Sequence, residues 1–93
     1  MIEGKTKSGY EFKYDERILN DYNLLKAIGR FDRAETKIEQ VVALTDMLDY
    51  MLGDNKESLM EHIAAMNDGF HPVDKIQEEL LEIVSMSKDL KNS

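Results

Sequence analysis

The stretch TKIEQVVALTDMLDYMLG, residues 36–53, constrains the fold of this chain more than any other part of it. Thr36 followed three positions later by Glu39 predicts a capping box, in which each side chain satisfies a free backbone N–H of the first helical turn. Ile38, Val41, Leu44, Leu48 and Met51 then recur at helical spacing, and Val42, Met47 and Leu52 widen the stripe. Gly53 follows, suited to the left-handed turn that ends a helix. So broad an apolar arc needs more than one neighbour to cover it, which makes this the central helix.

The flanking segments supply those neighbours. Residues 2–14 read as a β-hairpin: Tyr10, Phe12 and Tyr14 alternate with Glu11 and Lys13, and Ile2 and Thr6 alternate with Glu3, Lys5 and Lys7. Ser8-Gly9 is the expected two-residue turn. A lone hairpin is marginal in water, so its aromatic face should pack on helices, pair with another chain, or both. From Asp15 the period becomes helical through Ile18, Leu19, Tyr22, Leu25 and Ile28, with Leu24 and Phe31 widening the face. Asp15 can cap one continuous helix, or Asp21 a second start. Gly29 weakens the last turn, and residues 30–33 read as a connector.

After Gly53, Asp54 with Glu57 predicts another capping box and a short helix with Leu59, Ile63 and Met66 on one face and Met60 and Ala64 beside them. Asn67-Asp68-Gly69 ends it, and Pro72 keeps His71 out of helical geometry. Asp74 with Gln77 opens the last helix, with apolar positions Ile76, Leu80, Leu81, Ile83, Val84, Met86 and Leu90 and a solvent face of Glu78, Glu79 and Glu82. The expected fold is mainly α: a small bundle of about four helices (15–93) preceded by a hairpin (1–14), in a single domain over 1–93.

Nineteen acidic residues against twelve basic ones give a formal net charge of −7. Such a chain repels phosphate backbones and anionic lipid, so neither nucleic acid nor membrane is expected as a partner. No apolar run suits a signal peptide or a membrane span, and the absence of cysteine removes disulfides and thiolate metal sites. Cytoplasmic residence fits this composition. Convergent reactive groups are scarce. His62 and His71 flank the Asn-Asp-Gly turn without a metal-ligand spacing, and aligning Gly69 with the sixth position of a calcium loop puts Met66 and Ala64 where oxygen ligands belong. With no nucleophile elbow and no phosphate-cradling loop, the expectation is no enzyme, no cofactor and no metal. Methionine is the unusual usage: Met47, Met51, Met60, Met66 and Met86 fall on apolar faces. They serve either as core filler or, with Phe70, as a plastic surface for an apolar partner. Tyr10, Phe12 and Tyr14 are the matching candidates for contact between copies.

The order of these motifs resembles that of the tail assembly chaperones of long-tailed, siphovirus-type bacteriophages and prophages. The likeness runs from the aromatic strand and acidic turn (residues 10–16) through Asn20-Asp21-Tyr22 and the leucine-rich helix closed by Met51-Leu52-Gly53. It continues with Glu61-His62-Ile63, the Asn67-Asp68-Gly69 turn, Pro72-Val73, the glutamate-rich last helix and the terminal residues 90–93. The family more often has tryptophan than Tyr22, and residues 29–35 depart from its pattern in being more charged. The resemblance implies a non-catalytic protein that binds the tape measure protein and keeps that long helical chain soluble while the tail tube forms around it. It would work in the host bacterial cytoplasm and be absent from the mature virion. Many members also have a longer form, made by ribosomal frameshifting, whose extension recruits the tail tube protein; this chain would be the short form. Leu90-Lys91-Asn92 can be encoded as A-AAA-AAC, a heptamer on which paired tRNAs slip back one base. A holding protein of this size covers little of a long client, so self-association is expected. The alternative is a small acidic regulator that binds a phage or host transcription or repair factor.

Overall fold

A computed structural model describes the backbone of residues 1–92 and the side chains of residues 1–86. The expected apolar position Leu90 lies outside the described side chains, and Ser93 outside the described residues. Strands β1 (Ile2–Lys5) and β2 (Glu11–Tyr14) form an antiparallel hairpin, followed by helices α1 (Tyr22–Arg33), α2 (Lys37–Leu52), α3 (Lys56–Met66) and α4 (Val73–Asn92). The fold is the small helical bundle behind a hairpin that the hydrophobic pattern predicts.

Register in the hairpin pairs Ile2 with Tyr14, Gly4 with Phe12 and Lys5 with Glu11. Its connection is one residue longer than expected: the Gly9 N–H donates to the Thr6 carbonyl at 2.9 Å and the Thr6 N–H to the Tyr10 carbonyl at 2.9 Å. Lys7, Ser8 and Gly9 thus form a three-residue loop closed by a glycine at φ +97°. The alternation holds in full, with Tyr10, Phe12 and Tyr14 buried and Glu11 and Lys13 exposed. Gly4 is required by its cross-strand neighbour, because a methyl group there would lie 2.7 Å from Phe12 Cζ.

Between hairpin and bundle, both caps offered by the sequence are used. Asp15 Oδ1 accepts the Arg17 N–H at 2.9 Å and starts a short 3-10 turn, Glu16–Asn20. Asp21 Oδ1 then accepts the Asn23 N–H at 2.9 Å and starts α1. The continuous-helix alternative is thereby excluded. The expected connector at 30–33 is instead the last turn of α1. Glycine at position 29 costs that turn about 1 kcal/mol relative to alanine. Packing of Phe31 on the core and the Arg30–Asp46 ion pair at 3.5 Å hold it helical.

The three-residue link 34–36 folds α2 back along α1, and these two helices form the most extensive contact in the molecule. Thr36 Oγ1 accepts the Glu39 N–H at 3.2 Å as predicted, but the Glu39 carboxylate reaches past Thr36 to the Glu35 N–H at 3.0 Å. Gly53 closes α2 at φ +54° and ψ −125°, a glycine conformation outside the left-handed helical region. Ala43, Leu44, Met47, Leu48, Met51 and Leu52 are the buried positions of α2, whereas Ile38 and Val42, expected on the covered stripe, are 77% and 56% exposed.

The expected Asp54 box is absent. A 3-10 turn, Gly53–Asn55, leads directly into α3, and Ser58 Oγ donates to the Asn55 carbonyl at 2.7 Å. Asn67-Asp68-Gly69 ends α3 as expected, with Asp68 and Gly69 at φ +54° and +86° and the Gly69 N–H on the Ala64 carbonyl at 2.8 Å. Helix α4 starts from the Pro72 carbonyl, which accepts the Lys75 and Ile76 N–H groups at 3.1 Å. Asp74 therefore sits inside the first turn and is not its cap. β1 packs against α4 and β2 against α2, so the aromatic face of the hairpin closes one side of the core.

Candidate functional site

Two features stand apart from the ordinary core. The first is a polar cluster where the hairpin turn meets α3 and α4. Glu79, expected on the solvent face of α4, is 8% exposed. Its Oε1 accepts Thr6 Oγ1 at 2.8 Å and Ser8 Oγ at 2.7 Å. Each hydroxyl has one proton, so with both directed at Glu79 the Ser8 oxygen is left to accept from His62 Nε2–H at 3.0 Å. Beside them the Lys7 N–H donates to Glu82 Oε1 at 2.9 Å, and Thr6 Oγ1 accepts the Tyr10 N–H at 3.2 Å.

The connectivity matters. An activated serine turns its hydroxyl proton toward the imidazole, and a carboxylate orients the far side of that ring. Here the proton faces the carboxylate and the imidazole donates, which makes the cluster a clasp that ties the hairpin turn to the two helices. Tyr10 adds a second tie, since its hydroxyl lies 3.0 Å from Ser58 Oγ and 3.3 Å from the Asn55 carbonyl, and its ring centroid is 5.7 Å from that of His62. His71 is exposed, and among the described residues no group of three acidic, histidine or cysteine side chains is placed to hold a metal.

The second feature is apolar surface. Against the clasp, whose Ser8 and Glu79 form part of its wall, the turn, α3 and α4 border a groove of about 800 Å³ that Ile63, Met66 and Leu81 also line and whose rim carries Lys7, Lys75, Glu78 and Glu82. Met66 is 54% and Leu81 44% exposed, and Phe70 beyond the α3 terminus is 72% exposed. A smaller groove of about 430 Å³ lies where the end of α1 meets the start of α2, between Arg30, Arg33, Ala34, Ile38, Glu39, Val42 and Ala43.

The methionines divide between these environments. Met47 and Met51 are fully buried, Met60 and Met86 are half-buried against the core, and Met66 alone of the five is exposed. Tyr10, Phe12 and Tyr14 point into the protomer, so their side chains are occupied within the chain; what the hairpin leaves outward is its backbone edges and the ion pairs Lys5–Glu11 at 4.0 Å and Lys13–Glu3 at 3.5 Å. Sequence reasoning missed Glu79, Ser8 and Thr6 as a unit, and it put Leu81, Ile38 and Val42 inside, together with Tyr22 and Leu25, which are 73% and 48% exposed on α1. Helical geometry carried the signal for α4: at about 100° per residue Glu79 lies only roughly 60° from Ile76, whereas Leu81 lies roughly 140° away.

No helix among the described residues is long and apolar enough to cross a membrane. Comparison of the chain with protein-family models, with curated proteins and with solved structures returns no match.

Proposed function

We propose that this chain is a non-catalytic tail assembly chaperone that binds a tape measure protein and holds it soluble until the tail tube forms around it. The observation that carries the reading is the groove between the hairpin turn, α3 and α4, where Met66 and Leu81 offer apolar surface over the buried Ile63 and inside a rim of mixed charge. An amphipathic client helix buries its apolar stripe in such a groove through contacts every three to four residues. Met66 adapts its shape to successive client turns, because a thioether side chain has many low-energy conformers. The net charge of −7 keeps the loaded complex soluble.

In this reading the chain acts in the host bacterial cytoplasm, is absent from the finished virion, and has a longer frameshifted form that brings in the tail tube protein. The regulator alternative finds less support. It needs carboxylates arrayed on one face, yet Glu79 is turned inward, Asp46 is paired with Arg30 and Asp49 with Lys56.

The reading requires a neighbouring gene for a very long helical protein, and pull-down with overlapping fragments of that protein tests it. Helical fragments should be retained, and Met66→Glu with Leu81→Glu, both at exposed positions, should abolish retention while the chain stays folded. Fragments that ignore the native chain, or bind the double variant equally well, would rule the proposal out.

A further inference from the structure

Charge around the client groove is not shared evenly between its walls. Helix α3 lines it with uncharged side chains, Ile63 and Met66 among them. Helix α4 lines it with Glu78, Glu79, Glu82 and Lys75, and the hairpin turn adds Lys7. Three carboxylates against two ammonium groups leave one negative charge in excess, and the acids all stand on the α4 side. Lys75 and Glu78 are paired at 3.6 Å. Among the described residues neither Glu79 nor Glu82 has a cation within salt-bridge distance, and the Lys7 ammonium pairs with no carboxylate. Glu82 Oε1 accepts the Lys7 backbone N–H and Glu79 Oε1 accepts two hydroxyls, while the second oxygen of each carboxylate accepts no hydrogen bond among the described residues.

Glu79 is only 8% exposed, and an anion held away from water is stabilised by a cation far more than an exposed one is. Met66 and Leu81 lie in the same groove, where the aliphatic stem of a lysine or arginine can cover apolar surface while its head reaches a carboxylate. We propose, resting on the client reading above, that the segment taken by this groove is a basic amphipathic helix. Its apolar stripe covers Met66 and Leu81, and a lysine or arginine on one edge of the stripe brings its cation to Glu82 and Glu79. The other edge faces α3 and needs no charge. The chain thereby selects among the apolar stripes of a long helical protein by the charge that flanks them, and the same carboxylates turn away stripes with acidic edges.

Fluorescence anisotropy of the full chain with labelled helical peptides tests this, using three that share one leucine stripe and carry lysine, glutamine or glutamate along its edge. The lysine peptide should bind about tenfold tighter than the glutamine peptide, and the glutamate peptide more weakly than both. Glu82→Gln and Glu79→Gln each keep a side-chain oxygen for the existing hydrogen bonds, so circular dichroism should find both folded, and each should remove most of the preference for lysine. Glu57→Gln takes away the same charge at an exposed position outside the groove. It should leave the preference intact, which separates a local contact from attraction to the net charge of −7. Equal binding of the three peptides, a lysine preference that survives both groove variants, or one that Glu57→Gln also removes overturns the inference. If the three bind equally and Met66→Glu with Leu81→Glu abolishes all binding, the groove remains a client site and only its preference for basic segments is refuted. Binding of none of them overturns the inference too, and the client reading then stands or falls on the pull-down.

Discussion

Tyr14 shows what the hairpin gives up in order to close the core. Its ring is buried beside Phe12, with centroids 6.0 Å apart, but among the described residues its hydroxyl has no hydrogen-bond partner. Burial pushes its pKa up to about 12. Removing an unsatisfied buried hydroxyl relieves a desolvation cost, so Tyr14→Phe should stabilise the chain by about 1 kcal/mol, visible as a higher urea midpoint at unchanged slope. Glu79 is the opposite case, since one carboxylate satisfies two hydroxyls. Glu79→Ala removes the acceptor the two hydroxyls share, leaving them to each other at 3.1 Å and Ser8 to His62, and should cost about 1–3 kcal/mol, with the hairpin-turn amides losing hydrogen-exchange protection first. At Asp15, the side-chain hydrogen bond from Arg17, 2.6 Å at its shortest, together with the Arg17 backbone N–H lowers the carboxyl pKa from 3.8 to about 2. A depressed carboxylate pKa contributes stability above its unfolded value and loses it as pH falls, here between about pH 4 and pH 2. The pair is solvent-exposed and screened, so the effect belongs to the titration curve more than to stability. NMR titration should find the Asp15 midpoint near 2 in the native chain and higher in Arg17→Ala, yet still below the ordinary value because the backbone N–H of residue 17 goes on donating to the carboxylate.

Among the elements, the clearest successes of sequence reasoning are those fixed by local geometry. Thr36, Asp15 and Asp21 act as caps, Asn67-Asp68-Gly69 takes positive φ at its last two positions, and the hairpin alternates as its period requires. These outcomes depend on a few neighbouring residues. The misplacements depend on partners distant in the chain. Glu79 is buried because Thr6 and Ser8, more than seventy positions earlier, bring hydroxyls to it. Ile38 is exposed because α1 and the hairpin cover the side of α2 centred on Leu44, roughly 120° around the helix from Ile38. The connector expected at 30–33 is helical because tertiary contacts outweigh the weak propensity of Gly29. Gly4 makes the same point inside the sheet, where an unremarkable strand glycine proves to be the seat of the Phe12 ring. Gly4→Ala should therefore cost about 1–3 kcal/mol through overpacking, and the ring resonances of Phe12 should shift more than those of any other aromatic residue.

At the scale of the whole molecule, the division of labour is spatial. Helix α2 forms the centre, the hairpin seals one side of the core through Tyr10, Phe12 and Tyr14, and the polar clasp fixes the hairpin turn to α3 and α4. That arrangement leaves apolar residues uncovered in several places, Met66 and Leu81 in one, Ile38 and Val42 in another and Tyr22 and Leu25 on α1. On an otherwise charged surface such faces mark places where another chain docks. The proposed account assigns the face of Met66 and Leu81 to a long helical client. Its central claim is that this small acidic bundle keeps a much longer helical protein from aggregating. Co-expression of the chain with a candidate client, a long helical tape measure protein from a neighbouring gene where one is found, followed by measurement of how that protein divides between supernatant and pellet, tests the claim most directly. The account predicts that the long protein moves into the supernatant and co-purifies with the chain, and that the Met66→Glu, Leu81→Glu variant returns it to the pellet. A long protein equally insoluble with and without the chain, and never found in complex with it, would contradict the account.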